Sequence, residues 1–150
     1  MNTNLIFKIL KPSDKSYSEA ISLTKEILQK PPSINFPKKE SEAEKQNIQI
    51  AAFIEDTLCA TATMTNEDDK IFLQNLAVKQ DLQNKGIGSQ LLKFCEEFAS
   101  ENQARVIYAN ARDGAGKTPV NFFTKNEYFC GEEEFFEDGI SHKIVWKILA

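Results

Sequence analysis

Six consecutive residues, Gln83-Asn84-Lys85-Gly86-Ile87-Gly88, have the types and spacing needed to hold a phosphate group. They join a strand-like run, Ile71-Phe72-Leu73-Gln74-Asn75-Leu76-Ala77-Val78, to an amphipathic helix. Glycines at the mouth of a helix let the backbone approach a ligand closely. The first-turn amides have no partner inside the helix and, with the helix dipole, favour an anion there. Residue types, spacing and the strand–loop–helix context agree on an enzyme that holds a pyrophosphate. The bland alternative is a loop whose glycines serve only the turn. The polar triplet Gln83-Asn84-Lys85 and the apolar strand just before it argue against that.

Two other glycine patterns fail on spacing. A dinucleotide fingerprint needs G-x-G-x-x-G at the first βα turn and an acidic residue about 20 positions later. Here the pair lies mid-chain, and Leu91 stands where the third glycine would be. Gly114-Ala115-Gly116-Lys117-Thr118 looks like the end of a P-loop, but Ala111 occupies the place of its first glycine. Pro119 and a short aromatic segment follow instead of a long helix, so the stretch reads as a surface turn. Only a nucleotide-binding protein would use Lys117 to hold a ligand.

Bulk properties narrow the class. A chain of 150 residues suits one domain over 1–150, burying roughly 68–70% of the surface it exposes unfolded. With 41% hydrophobic and 27% charged residues it reads as globular, and a net charge of −4 offers no footprint for nucleic acid. Cys59, Cys95 and Cys130 are widely spaced and read as reduced thiols in or near a core. His142 is the sole histidine, which leaves no zinc cluster and no ready Cys–His pair. Met1–Ile6 lacks the basic and apolar regions of a signal peptide, and no apolar run nears the roughly 18 residues of a membrane span. The expectation is a cytoplasmic protein without metal, nucleic acid or membrane partner.

The elements that must position the loop follow from hydrophobic periodicity. Leu5–Leu10 reads as a strand. Asp14 or Ser16 caps a helix with an apolar face of Ala20, Ile21, Leu23, Ile27 and Leu28, stopped by Pro31-Pro32. Ser33–Asn47 is charge-rich and reads as a mobile excursion, a short helix or part of a substrate lid. Ile48–Ile54, Leu58–Thr65 and Lys70–Val78 form an antiparallel meander with turns at Glu55-Asp56 and Asn66–Asp69. The helix after Gly88 runs to Glu101 and buries Ile87, Leu91, Leu92, Cys95, Phe98 and Ala99. Arg105–Ala111 then completes a β-α-β unit with parallel strands. A short helical segment at Pro119–Lys125 precedes a hairpin of Tyr128–Phe136 and Ile140–Ile148, with Asp138-Gly139 in its turn. Trp146 and Phe136 read as core. The order β-α-β-β-β-α-β-α-β-β gives an α/β fold: a mixed central sheet of six to seven strands with flanking helices.

A strand ending in Leu76-Ala77-Val78, a four-residue link, Gln83-x-x-Gly86-x-Gly88 and an apolar helix together resemble the GNAT superfamily. Its members are acyl-CoA-dependent N-acyltransferases with the signature Gln/Arg-x-x-Gly-x-Gly/Ala. The tail Gly139-Ile140-Ser141-His142 is also similar to a Gly-Ile-Pro-His stretch of some bacterial members, with Ser141 in place of proline. The resemblance implies that the backbone of Gln83, Asn84, Lys85, Gly86, Ile87, Gly88 and Ser89 holds the CoA pyrophosphate. It implies a bulge that splays Lys70–Val78 away from Val106–Ala111. The backbone of Leu76, Ala77 and Val78 would then bond the pantetheine and the thioester carbonyl. Acetyl-CoA is the implied co-substrate, with no metal. The acceptor is a primary amine of a small molecule or peptide, attacking directly in a ternary complex, and a homodimer is compatible with the fold.

The last helix departs from the family pattern Phe-Tyr-x-Lys-x-Gly-Phe. Phe123 stands at the cofactor where a tyrosine protonates the departing thiolate, and Glu127 replaces the glycine. Phe123 cannot donate a proton. Water or Tyr128 takes the role, the thiolate (pKa about 8.5) leaves unaided, or activity is weak or lost. His142 is a candidate base, with a structural histidine as the competing reading; Asp69, Glu133 and Glu134 are further candidates. Glu40, Glu42, Glu44 and Glu132–Glu134 would suit a cationic acceptor, or simply face solvent. A non-catalytic acyl-CoA-binding sensor or regulatory protein is the alternative function, motivated by Phe123.

Overall fold

All but one of the apolar runs form the element their period dictates. In chain order the structure holds β1 (Leu5–Leu10), α1 (Lys15–Leu28), β2 (Ile48–Ile54), β3 (Thr57–Glu67), β4 (Lys70–Val78), a 3₁₀ turn (Gln80–Leu82) and α2 (Ile87–Glu101). Then come β5 (Val106–Arg112), α3 (Pro119–Lys125), β6 (Phe129–Cys130), β7 (Phe135–Glu137) and β8 (Ile140–Ile148). This computed structural model describes residues 4–28, 47–113, 119–137 and 139–149. Pro31-Pro32, the Ser33–Asn47 excursion apart from Asn47, the Gly114–Thr118 turn and Asp138 lie outside the described residues, as do Glu40, Glu42 and Glu44.

The strands make one sheet in the order β1-β2-β3-β4-β5-β8-β6, with β7 also paired to β8. Among the described strands only β4 and β5 pair in parallel, as the intervening helix requires. The β2–β3 turn is tight because Glu55 and Asp56 both take positive φ, 48° and 67°, the backbone that two-residue hairpins favour. The expected penultimate strand Tyr128–Phe136 splits into β6 and β7, so the described sheet has eight strands rather than six to seven. Gly131 and the exposed carboxylates Glu132–Glu134 separate the two pieces, although the Gly131 amide still donates to the Ile144 carbonyl at 2.8 Å. Asp14 accepts from the Lys11 amide at 2.8 Å, closing the turn into α1.

The core has two parts, one on each face of the sheet. α2 and α3 bury Leu91, Leu92, Cys95, Val120 and Phe123 with Ile50, Met64, Ile71 and Val145. α1 covers the opposite face, where Ala20 and Leu23 meet Ala51, Phe53, Leu58 and Ala77. Ala77 and Val78, adjacent on β4, point to opposite faces as strand alternation demands. Phe98 is only partly buried, and Phe136, expected in the core, is 65% exposed because β7 is an edge strand. The three cysteines are free thiols, two of them buried.

Candidate active site

β4 and β5 diverge. Their parallel ladder pairs only Lys70–Phe72 with Val106–Tyr108, whereas β4 runs on to Val78 and β5 stays paired with β8 as far as Arg112. The cause lies on the other edge of β4, where the register slips: Thr63 pairs with Asn75 and Met64 with Leu73. Gln74 is the extra residue of a bulge, and a bulge bends its strand. A V therefore opens past Phe72, and the edge of β4 carrying Leu76, Ala77 and Val78 has no pairing to β5.

From Val78 the chain turns through Gln80–Leu82 into the glycine loop. Lys79 donates its amide to the Cys59 carbonyl at 2.9 Å, and the Gln83 side chain donates Nε2–H to the Val78 carbonyl at 3.0 Å. The Gln83 amide closes the 3₁₀ turn onto Gln80 at 3.4 Å, so this residue ties the loop to the strand. Asn84 and Gly86 take φ of 64° and 84°, the left-handed region open to glycine and tolerated by asparagine. Gly86 is the N-cap of α2 and no side chain caps that end. The first helical bond runs from Gln90 to the Gly86 carbonyl, 3.1 Å, which leaves the amides of Ile87, Gly88 and Ser89 without intrahelical acceptors.

The two glycines do different work. A Cβ on Gly86 would meet nothing within 4 Å, so the loop presents bare backbone to open space. A Cβ on Gly88 would touch Phe122 at 3.4 Å and Val78 at 3.5 Å. Gly88 thus lies where α2 packs against α3 and the end of β4, in a space that a methyl group would fill with ordinary contacts. An uncapped helix end with an open glycine cradle fits a diphosphate.

A sequence profile described as Acetyltransferase (GNAT) family matches residues 17–128. The chain belongs to the GNAT acetyltransferase family. No curated protein sequence matches it. Among solved structures, a Bacillus subtilis acetyltransferase in complex with CoA is 20% identical, with TM-score 0.73, 97% of this chain covered and 99% of that one. An aminoglycoside 6'-N-acetyltransferase complexed with coenzyme A is 14% identical, with TM-score 0.77 and 97% coverage of both chains. The ribosomal-protein-S18-alanine N-acetyltransferase from Escherichia coli is 15% identical, with TM-score 0.70, covering 97% of this chain and 94% of that one. These neighbours share the GNAT fold seen here.

The residues that depart from the GNAT pattern take definite places. Phe123 on α3 is 6% exposed, with ring-edge contacts to Phe122 at 5.3 Å and Tyr128 at 5.1 Å. Tyr128, a candidate acid from the sequence, donates its hydroxyl to Glu96 Oε2 at 2.9 Å under the Lys147 ammonium. Burial first, then the Glu96 carboxylate, pushes its phenol far above the usual range. Glu96 lies nine residues into α2, about 13 Å along the axis from its N-terminus. The Tyr128 hydroxyl thus joins α2 to the closing strands.

His142 lies opposite Arg112, at the end of β5 where the V is open. It is 7% exposed and stacks on Phe135 at 5.8 Å. A carbonyl can only accept, so Nδ1–H donates to the Ile140 carbonyl at 2.7 Å, and Nε2 faces Glu137 Oε1 at 3.6 Å. Asp69 sits at the closed end of the V, with its carbonyl accepting from Arg105 at 2.6 Å. Glu133 and Glu134 are exposed, and Glu134 accepts a short hydrogen bond from Ser141. No metal-ligand cluster exists among the described residues.

Two features escaped the sequence. Phe122 packs beside Gly88, 3.4 Å from where a Cβ on that glycine would stand. Tyr108, in the last β4–β5 pair, stacks on Phe72 at 5.0 Å and donates to Glu67 at 2.5 Å. Burial, then the Glu67 bond, pushes its phenol up to about 12. No short-range motif signals such a pair, because its partners are 41 residues apart. A cavity of about 520 Å³ lies on the α1 side of β4, lined by Ser18, Ser22 and Glu26 and by Lys79 and Asp81.

Proposed function

We propose that this GNAT protein is an N-acetyltransferase that moves an acetyl group from acetyl-CoA to a primary amine of a small molecule or peptide. The observation that carries this reading is the opening between β4 and β5 next to an uncapped helix N-terminus. The amides of Ile87, Gly88 and Ser89, with Gly86 giving close approach, would hold the pyrophosphate. The unpaired edge of β4 at Leu76–Val78 would bond the pantetheine, and an amide aimed at the thioester carbonyl would stabilise developing negative charge.

Acetyl-CoA supplies the activated acyl group; the protein holds the two substrates in line. The neutral amine attacks the carbonyl carbon, a C–N bond forms, the C–S bond breaks and the thiolate leaves. The amine's proton must go to a base. With Nδ1 protonated, Nε2 of His142 carries the lone pair that would take it, and the Glu137 carboxylate at 3.6 Å would steady the imidazolium formed. Glu19, Glu26 and Asp81 outnumber Lys79 around the cavity on the α1 side, a balance that suits a cationic acceptor.

A binding-only protein is the second reading, favoured by the burial of Phe123 and the Tyr128–Glu96 bond. Both readings require acetyl-CoA binding; only the enzyme releases thiol. The test is a thermal-shift titration with acetyl-CoA, followed by thiol-release assays on amine panels. A ligand bound only by the folded state stabilises it by about 2.7 kcal/mol at 100-fold excess over its Kd. The wild type gains this and Gly86→Asp, with a carboxylate in the cradle, does not. No gain in the wild type at millimolar acetyl-CoA overturns both readings.

A further inference from the structure

We propose that Gln74 is a positioning residue whose side chain clamps the β4 bulge in place, and that Thr65 and Asn47 are the anchors of that clamp. The proposal rests on the acetyl-CoA reading for its functional consequence, and on the structure alone for the clamp.

A bulge leaves one residue without a cross-strand partner, and a one-residue slip of register would turn every later side chain to the wrong face. Something must fix which residue is the extra one. Here it is Gln74, between the pairs Thr63–Asn75 and Met64–Leu73. Its Nε2–H group reaches Asn47 Oδ1 at 3.0 Å and makes a short hydrogen bond to Thr65 Oγ1. Thr65 in turn donates to Asn47 Oδ1 at 2.9 Å. Thr65 is 9% exposed, while Gln74 and Asn47 are half-buried, so water reaches the knot only from one side. The three residues tie β4 to β3 and to the start of β2 at the point where β4 leaves β5.

A second polar knot supplies an internal control. Gln49 donates to Thr61 at 2.6 Å and accepts from Thr63 at 2.9 Å, while Thr61 donates to the Ile50 carbonyl at 2.7 Å. All three are buried. This knot joins β2 to β3 and makes no bond to Gln74. It should support stability without setting the direction of β4. The Gln74 knot should set both, because preorganised backbone donors bind better than donors that must first be ordered.

The experiment compares Gln74→Leu, Thr65→Val, Thr65→Ser and Thr61→Val. Two quantities are read: acetyl-CoA Kd by calorimetry, and backbone amide shifts of Asn75 to Val78 in the ligand-free protein by NMR. Gln74→Leu and Thr65→Val are expected to weaken acetyl-CoA by about tenfold or more and to move those four amides. Thr65→Ser, which keeps the hydroxyl, restores both. Thr61→Val lowers the melting temperature but leaves Kd within about twofold. The proposal falls if Gln74→Leu leaves Kd and amides unchanged, or if Thr61→Val, whose side chain lies across from Ala77, weakens acetyl-CoA as far. If Gln74→Leu does not fold, the two Thr65 variants decide. If the wild type binds no acetyl-CoA, the functional reading fails, and the ligand-free amide shifts still decide whether the clamp exists.

Discussion

Phe123 concentrates the catalytic question in one side chain. Its ring is packed among Phe122 and Tyr128, where a tyrosine in its place would carry a hydroxyl needing a partner. A buried hydroxyl without one costs about 1–3 kcal/mol, whereas one that reaches the departing thiolate speeds its loss. Phe123→Tyr is expected to raise kcat about tenfold with the KM for acetyl-CoA unchanged, measured as thiol release under saturating amine. A lower melting temperature with no gain in kcat would place the new hydroxyl in the core and send the search for an acid elsewhere. The glycine loop was legible in the sequence because its chemistry is local: six adjacent residues carry the φ, the open cradle and the helix end. The roles of Tyr128 and Tyr108 were not, since their carboxylate partners Glu96 and Glu67 lie 32 and 41 residues away. Tertiary pairing decided them.

At the scale of elements, the start of α2 is held by two glycines that substitution should separate. Gly86 sits at φ 84°, where an L side chain costs about 1–2 kcal/mol even in open space. Gly88 is helical, and a methyl there makes ordinary contacts of 3.4 and 3.5 Å while gaining up to about 1 kcal/mol of helix preference. Gly86→Ala is therefore expected to lower the urea midpoint, and Gly88→Ala to leave it level or raise it. The reverse order would show that the loop is built otherwise. The β-α-β unit, the meander and the extent of α2 to Glu101 follow from apolar periodicity and turn residues, and the structure has them. The break between β6 and β7 was not legible. Gly131 and three carboxylates sit inside a run that is otherwise aromatic and apolar, and only the pairing partner β8 reveals that both pieces belong to one edge. A bulge within Lys70–Val78 follows from family likeness, but nothing in a single strand's alternation marks Gln74 as the residue left over.

For the whole molecule, the buried acids set a pH dependence of known sign. Burial, reinforced by Glu96, raises the Cys95 thiol from 9.0 to about 12, and burial also raises Cys59. Burial, then the carboxylate each meets, raises Tyr108 from 10.0 to about 12 and Tyr128 further still. In every case the fold favours the protonated form, so the unfolded chain ionises first as pH rises. Their contribution is fully present below pH 9 and is lost as pH climbs from there through the folded values. The well-buried Cys95 and Tyr128 each add a slope of about 1.4 kcal/mol per pH unit inside their windows, and the more exposed Tyr108 adds less because solvent screens it. The urea midpoint should therefore be flat from pH 7 to about 8.5 and fall steeply above pH 10. Tyr128→Phe isolates one group: it loses the Glu96 bond and about 1 kcal/mol at neutral pH. It also removes one titrating hydroxyl, so its alkaline decline should be shallower and the two curves should converge near pH 11. Lys147, 3.3 Å from Glu96, is present in both proteins and cancels in the comparison. Parallel curves would mean that the Tyr128 phenol ionises as freely in the fold as in the unfolded chain. The contact that joins α2 to the closing strands would then have to be redrawn, and Tyr128 would return as a source of the catalytic proton.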